Sequence, residues 1–265
     1  MYSQKILEEI KKYNINSNKS DLLYQENYTN FDNQIQLYEL SCYLEDFINE
    51  SIDMDEGFGG KLRPVFVVLL YSDSTFDHVA EKVVKGQKYW HAALGFGPAL
   101  SRTYSFNFGE ADANKIKGGL SFESLEFYKK EHPTGTMEVS CVFLKKDKYK
   151  SIKHALEYYI RNKEKTKYSF VNLVFSLLGI KTKNGLKMNL VCSTFVDTIL
   201  KAANISLSGN LHTNLTKPDD LSVNSKKEKQ FKIYSGPIIN YNEKKAADLV
   251  ERLSNNINND YFGKK

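Results

Sequence analysis

Features that mark secreted or membrane-spanning proteins are scarce in this sequence. Only three cysteines occur in 265 residues, Cys42, Cys141 and Cys192. Their odd number and irregular spacing argue against a disulfide framework and favour a reducing compartment. The longest apolar runs, residues 65–71 and 170–180, are far shorter than the roughly 20 residues that a membrane-spanning helix needs, so no transmembrane segment is expected.

An excess of charge of one sign is lacking as well. The 37 Lys and Arg residues barely outnumber the 32 Asp and Glu residues, and no block of five consecutive basic residues occurs. Binding to nucleic acid is therefore not expected. Lys5, Glu8 and Lys11 lie where a signal peptide would have its apolar core, so no signal peptide is predicted.

What the sequence does have is enough apolar material for a folded domain. Hydrophobic residues make up 41% of the chain, including 17 Tyr and 16 Phe, which excludes intrinsic disorder for most of its length. Residues 1–60 are more polar, with two short amphipathic helical patterns and a glycine-rich joint at 57–60. They predict a helical N-terminal extension that can bind a protein partner. A main domain is expected over residues 61–236, and a C-terminal helix and tail over 237–265.

Strands and helices alternate irregularly from residue 62 onward. Strands are predicted at 64–71, 89–96, 102–108, 137–144 and 231–234, and helices at 74–85, 121–130, 147–162, 168–178, 191–203 and 242–255. The run 64–71 is apolar almost throughout, which is typical of a strand buried on both faces. The irregular order favours the α+β class over a doubly wound sheet.

Cys192 begins one of the predicted helices and is a candidate nucleophile. It shares the buried face of that helix with Phe195 and Val196. The unpaired N–H groups and the positive dipole end of a helix start both favour a thiolate, which is the nucleophilic form of cysteine. The same N–H groups can hold a developing oxyanion. The alternative is a structural role, because free cysteines are among the most frequently buried residues.

Of the five histidines, His91 is the best candidate partner for Cys192. It lies near the start of the strand predicted at 89–96, where alternation places it on one face with Ala93 and Gly95. Small residues on that face would let the Cys192 helix approach the sheet and would bring the imidazole to the sulfur. The alternative is a histidine with only a structural role in the strand.

Two motifs carry a family resemblance: Tyr-Trp-His-Ala-Ala-Leu-Gly-Phe at 89–96 and Val-Cys-Ser-Thr-Phe-Val at 191–196. With segments 65–75, 100–106 and 118–120, they resemble the circularly permuted papain-like proteins of the NlpC/P60 superfamily over residues 62–234. In that group the histidine strand precedes the cysteine helix, as His91 precedes Cys192 here. The resemblance implies an antiparallel sheet packed on helices, with Cys192 as nucleophile and His91 as general base. It also implies hydrolysis or transfer at acyl bonds of cell-wall peptides or lipid amides.

The sequence does not decide which residue would orient the imidazole of His91. Such groups are commonly a carboxylate, Asn or Gln on a neighbouring strand. Ser105 falls where the resemblance places this group, and Asn107 on the same predicted strand is chemically better suited. Glu123 follows in the next segment as a third candidate. The alternative for Ser105 and Asn107 is that they are ordinary polar strand positions.

No cofactor or metal is expected. The glycine-rich residues 57–60 lack the Lys-Ser/Thr of a phosphate loop. No His, Cys or carboxylate pair has the spacing of a zinc site, and convergence of Cys141, His91 and Cys192 on a metal is the nearest alternative. Tyr71 ends the first buried strand, where core packing is favoured over a role in a site.

These patterns predict a cysteine hydrolase or acyltransferase with a Cys192–His91 pair. Its expected substrate is a peptide or lipid amide, and its expected location is the cytoplasm or a virion. The rival prediction is a non-catalytic papain-like module, for instance of a phage particle, with residues 1–60 as its docking segment. An effector acting inside a host cell would share the chemistry of the first prediction.

Overall fold

An antiparallel sheet forms the centre of the protein in this computed structural model, which describes residues 62–72, 86–108, 118–162, 167–168, 189–209, 215–223 and 230–262. Within those residues the sheet has six strands, which are β1 (Arg63–Tyr71), β2 (His91–Gly95), β3 (Thr103–Phe108), β4 (Gly118–Glu123), β5 (Thr136–Leu144) and β8 (Gln230–Pro237). Their order across the sheet is β4-β3-β2-β1-β5-β8. A separate parallel pair joins β6 (Lys167–Tyr168) to β7 (Asn189–Leu190).

Helices cover both faces of this sheet. They are α1 (Leu125–Glu131), α2 (Lys146–Arg161), α3 (Cys192–Ala202) and α4 (Glu243–Phe262), with 3-10 helices at Pro218–Leu221 and Ile238–Asn240. Val65, Val67 and Leu69 of β1 pack with α2 and α3 on one face, called the α3 face here. The alternate residues of β1 pack with α1 and α4 on the opposite face, called the α4 face. The apolar run of β1 is therefore buried on both sides, as predicted.

The α+β class predicted from the sequence is confirmed by this sheet and its helices. The predicted strands near 137–144 and 231–234 and the predicted helices near 147–162, 191–203 and 242–255 are present with shifted ends. The predicted extension at 1–60 and the helix predicted at 74–85 lie outside the described residues, as does most of the helix predicted at 168–178. In the part of the chain that the structure describes, no helix combines the length and apolar character needed to cross a membrane.

The helix predicted at 121–130 is wrong over its first residues. Residues 121–123 complete β4, whose Ser121 pairs with Ser105 of β3. Helix α1 starts only after Ser124, whose hydroxyl accepts the N–H of Phe127 at 3.1 Å and caps the helix. Pairing with β3 overrides the local helical pattern, and it places Glu123 at the end of a strand.

Strand β2 does not present the predicted face to the cysteine helix. Ala92 and Leu94 pack with Cys192 in the core of the α3 face, whereas Ala93 packs on the α4 face. The prediction that the helix covers the face shared by His91 and Ala93 is therefore wrong. Burying the larger side chain of Leu94 against the helix removes more apolar surface from water than burying small residues there would.

Gly135, between α1 and β5, lies where a side chain cannot fit. A Cβ atom there would lie 2.6 Å from the carbonyl oxygen of Tyr71 and 2.9 Å from Cδ1 of Ile238. Gly135→Ala is therefore expected to lower the free energy of unfolding by about 1–3 kcal/mol, measured by urea denaturation. Gly97→Ala is the control, because a Cβ at Gly97 meets no atom within 4 Å. Equal stability of the two variants would contradict this account of the Gly135 turn.

Candidate active site

Cys192 is the first residue of α3, and the structure buries it at the point where the helix meets β2. Thr194 fixes the helix start, because its hydroxyl accepts the N–H of Val191 at 2.9 Å and donates to the carbonyl of Val191 at 3.0 Å. The Cys192 side chain is only 4% exposed, and its sulfur lies 3.9 Å from the carbonyl oxygen of Trp90. The Cys192 N–H belongs to the first turn, where no carbonyl of the helix is available to accept it.

His91 is the first residue of β2 and is paired with Leu70 of β1. Its side chain is 18% exposed, so solvent reaches the ring. The Nε2 atom lies 2.9 Å from Oε2 of Glu123 and forms a hydrogen-bonded ion pair with this carboxylate. Because Nε2 is engaged by Glu123, Nδ1 is the ring nitrogen available to the sulfur of Cys192.

The pKa of His91 lies well above its usual value. Burial disfavours the charged ring, but the negative charge of Glu123 and hydrogen bonds to Cys192 and Glu123 outweigh this cost. This raised pKa favours the protonated form of the imidazole. The Cys192 thiol is one of the groups that raise this pKa, so its side chain lies close to the ring although the two residues are distant in the sequence.

Glu123 is nearly completely buried, and its carboxylate accepts hydrogen bonds from several sides. Besides His91, Oε2 accepts the hydroxyl of Tyr128 at 2.7 Å, and Oε1 accepts from Ser121 at 3.2 Å and from Nδ2 of Asn107 at 3.3 Å. Burial raises the pKa of Glu123, but the charge of His91 and the hydrogen bonds from His91, Tyr128 and Ser121 outweigh burial and lower it. A buried carboxylate held in this way stays ionised and can orient the imidazole.

Glu123, rather than Ser105 or Asn107, is hydrogen-bonded to the ring of His91. The hydroxyl of Ser105 donates to the carbonyl of Ala92 at 2.6 Å, so it supports the backbone of β2. Asn107 contacts Glu123 and acts one step away from the ring. The strand at 118–123 is what brings Glu123 to this position, because its pairing with β3 places Glu123 directly opposite Thr103.

Tyr128 belongs to the same hydrogen-bond network, and no motif in the sequence predicts this. Its hydroxyl is shared between Glu123 and Thr103, whose Oγ1 lies 2.7 Å away. Burial and the nearby Glu123 charge raise the pKa of Tyr128 well above its usual value, so it remains a donor. Its place in α1, five residues after Glu123, carries no sequence signal for this role.

The described residues do not support the alternative of a metal bound by Cys141, His91 and Cys192. Cys141 packs in the core of the α4 face, whereas Cys192 packs in the core of the α3 face. Burial raises the pKa of the Cys141 thiol to about 12, which disfavours the thiolate that a metal needs. Among the described side chains, no three His, Cys, Asp or Glu residues form a group that could hold a metal ion.

Tyr71 ends β1, where it pairs with Thr136 of β5 and packs against the core of the α3 face. This is the packing role that the sequence favours for it.

Comparisons of the chain with protein-family models, with curated proteins and with solved structures found no match.

Proposed function

We propose that this protein is a cysteine hydrolase of the circularly permuted papain-like type, acting on an amide or ester acyl bond. The observation that carries the proposal is the chain of contacts from Cys192 through His91 to Glu123, with 2.9 Å between the ring and the carboxylate. A nucleophile, a base and a group that orients the base are the three parts that nucleophilic acyl transfer needs. The sequence order of His91 and Cys192 also agrees with the resemblance to the NlpC/P60 superfamily.

The reaction starts from the form of the pair in which the thiol proton of Cys192 lies on Nδ1 of His91. The negative charge of Glu123 stabilises this imidazolium, and the sulfur is a thiolate. The thiolate then adds to the carbonyl carbon of the substrate, and the carbonyl oxygen becomes an oxyanion. The N–H of Cys192, at the positive end of α3, is placed to stabilise that oxyanion.

Collapse of the tetrahedral intermediate breaks the bond to the leaving group. The imidazolium of His91 gives its proton to the leaving nitrogen or oxygen, which departs as an amine or alcohol, and the acyl group stays on Cys192 as a thioester. A water molecule then gives a proton to His91 and attacks the thioester carbonyl. Release of the carboxylic acid regenerates the Cys192–His91 pair.

The substrate class follows from the resemblance and is proposed on that basis. An amide of a cell-wall peptide is the first candidate, and a lipid amide or ester is the second. Action in the cytoplasm or in a virion is proposed with it.

The rival proposal is a non-catalytic papain-like module. The lack of an acidic residue among Thr103, Ser105 and Asn107 of β3 counts slightly in its favour. Glu123 supplies a buried, ionised carboxylate at hydrogen-bonding distance from the ring.

Trapping the acyl enzyme tests the proposal without knowledge of the natural substrate. The protein is mixed with an activated acyl ester, and intact-mass spectrometry after acid quench is expected to show one acyl adduct on Cys192. Cys141→Ala is the matched control and is expected to keep the adduct, whereas Cys192→Ala is expected to lose it. Equal adduct levels in wild type and Cys192→Ala would contradict a nucleophilic Cys192.

A further inference from the structure

The loop that contains the 3-10 helix Pro218–Leu221 contacts the segment that leads into β2. Asp219 lies on this helix, and both oxygens of its carboxylate accept backbone N–H groups. Oδ2 accepts the N–H of Lys88 at 2.7 Å, and Oδ1 accepts the N–H of Tyr89 at 2.7 Å. Tyr89 is two residues before His91, so the carboxylate binds the backbone directly before the residue that carries the imidazole.

The two N–H groups are consecutive, and this sets the shape of the backbone. Successive N–H groups of an extended strand point to opposite sides, so one carboxylate can accept both only where the chain bends. Residues 87–90 accordingly precede β2, which starts at His91. Hydrogen bonds from backbone N–H groups to a carboxylate are short and strong, so Asp219 fixes the bend from which His91 enters the sheet.

The same loop is also bonded to α3, beside the nucleophile. Ser193 follows Cys192, and its hydroxyl donates to the carbonyl of Thr216 at 2.6 Å. The Thr216 hydroxyl donates to the fully buried carboxylate of Asp197, also on α3, at 3.1 Å. Residues 215–223 therefore connect the residue after Cys192 to the residues before His91.

A third contact anchors the far end of the loop. Glu138 of β5 is nearly fully buried, and its Oε1 accepts the hydroxyl of Ser222 at 2.7 Å and the N–H of Val223 at 2.9 Å. The loop is thus fixed on both sides of Asp219, at Thr216 and at Ser222. A carboxylate held in this way can determine the position of the segment that it binds.

We propose that Asp219 is a positioning residue for the Cys192–His91 pair, setting the distance between sulfur and ring through the N–H groups of Lys88 and Tyr89. The inference rests on the proposed function of the pair and adds a residue that touches neither reacting atom. Removing the carboxylate releases two N–H groups and lets the start of β2 shift. A displacement of about 1 Å at a reacting group can lower its rate about 100-fold.

Asp219→Ala tests the inference through two measurements on the full chain. Alkylation of Cys192 by iodoacetamide at pH 6 is expected to slow about tenfold or more, while the rate at pH 9.5, where a thiol ionises without help, changes little. In NMR titrations, the pKa of His91 is expected to move toward its usual value. Asp219→Asn keeps one acceptor oxygen and is expected to be intermediate in both measurements.

Asp220→Ala is the matched control, because Asp220 lies on the same 3-10 helix and accepts the N–H of Lys217 at 2.8 Å. It is expected to leave both measurements near wild type. A merely structural role for Asp219 would change labelling alike at both pH values.

Two results would overturn the positioning role of Asp219. One is a His91 titration in Asp219→Ala that matches wild type, and the other is an equal loss in Asp220→Ala. Failure of the proposed function is a separate outcome. If wild-type Cys192 labels slowly at pH 6 while Asp219→Ala still shifts the His91 titration, the positioning inference stands and the hydrolase proposal fails.

Discussion

Cys192 is expected to react with iodoacetamide at pH 6 about 100-fold faster in the wild-type protein than in His91→Ala. An unassisted thiol, with a pKa of about 8.5, is less than about 1% ionised at this pH. A positively charged His91 ring beside the sulfur favours the thiolate, and the alanine variant removes that charge. Mass spectrometry of the peptide that contains Cys192 measures the rate across pH.

Two internal references make this measurement specific. Cys141 is fully buried on the other face of the sheet and reports the reactivity of an inert thiol in the same sample. His154→Ala removes an exposed histidine from α2 and is expected to label like wild type. Equal, slow labelling of Cys192 in wild type and His91→Ala would rule out an activated pair and favour a structural cysteine.

Glu123→Gln is expected to lower the pKa of His91 toward its usual value and to slow alkylation at neutral pH about tenfold. The substitution keeps the shape of the side chain and an acceptor for Nε2, but it removes the charge that holds the ring protonated. A tenfold change in rate corresponds to about one pKa unit of the ring. NMR titration of His91 and the pH–rate profile of alkylation measure the two effects.

The same variant is expected to lose stability in a defined pH window. The lowered pKa of Glu123 contributes stability above the usual glutamate pKa of 4.5, and this contribution is lost as the pH falls through the folded-state pKa. The raised pKa of His91 contributes stability below the usual histidine pKa of 6.5, and this contribution is lost as the pH rises through the folded-state pKa. The two contributions coincide between these values, so the loss is expected to be largest at about pH 5–6, at about 2 kcal/mol.

Glu126→Gln is the control for both measurements, because Glu126 is exposed in the first turn of α1. It removes the same charge three residues further along the chain. Urea unfolding across pH then isolates the contribution of the buried pair. A stability difference between Glu123→Gln and wild type that stays constant with pH would show that the pair does not titrate as described.

Several elements could be predicted from the sequence because each carries its own local signal. The apolar run of β1 predicts a strand buried on both faces, and the structure buries it there. The spacing of Phe195 and Val196 predicts the helix of Cys192, which begins at that residue. The resemblance and the strand pattern together single out His91, whose ring lies near Cys192 and is hydrogen-bonded to Glu123.

The rest of the site could not be predicted because its contacts depend on strand pairing. The apolar and aromatic residues at 120, 122, 125 and 128 suit a helix as well as a strand followed by a helix, so the sequence predicts a helix from residue 121, where β4 still continues. Without the register of β4, Glu123 has no place opposite Thr103, and Ser105 and Asn107 remain candidates for its role. Asp219 lies more than a hundred positions from the N–H groups that it binds, 131 from Lys88 and 130 from Tyr89.

The sequence alone determined the fold class, because periodicity is a local property, and it proposed Cys192 and His91 as a pair through residue type and the family resemblance. Only the tertiary structure decided that Glu123 holds the ring, that α3 packs on Leu94 rather than on the small face of β2, and that Asp219 fixes the chain before His91. Each of these follows from which strands and loops become neighbours. Pairing of distant segments is set by the burial of the whole core, which no short stretch of sequence encodes.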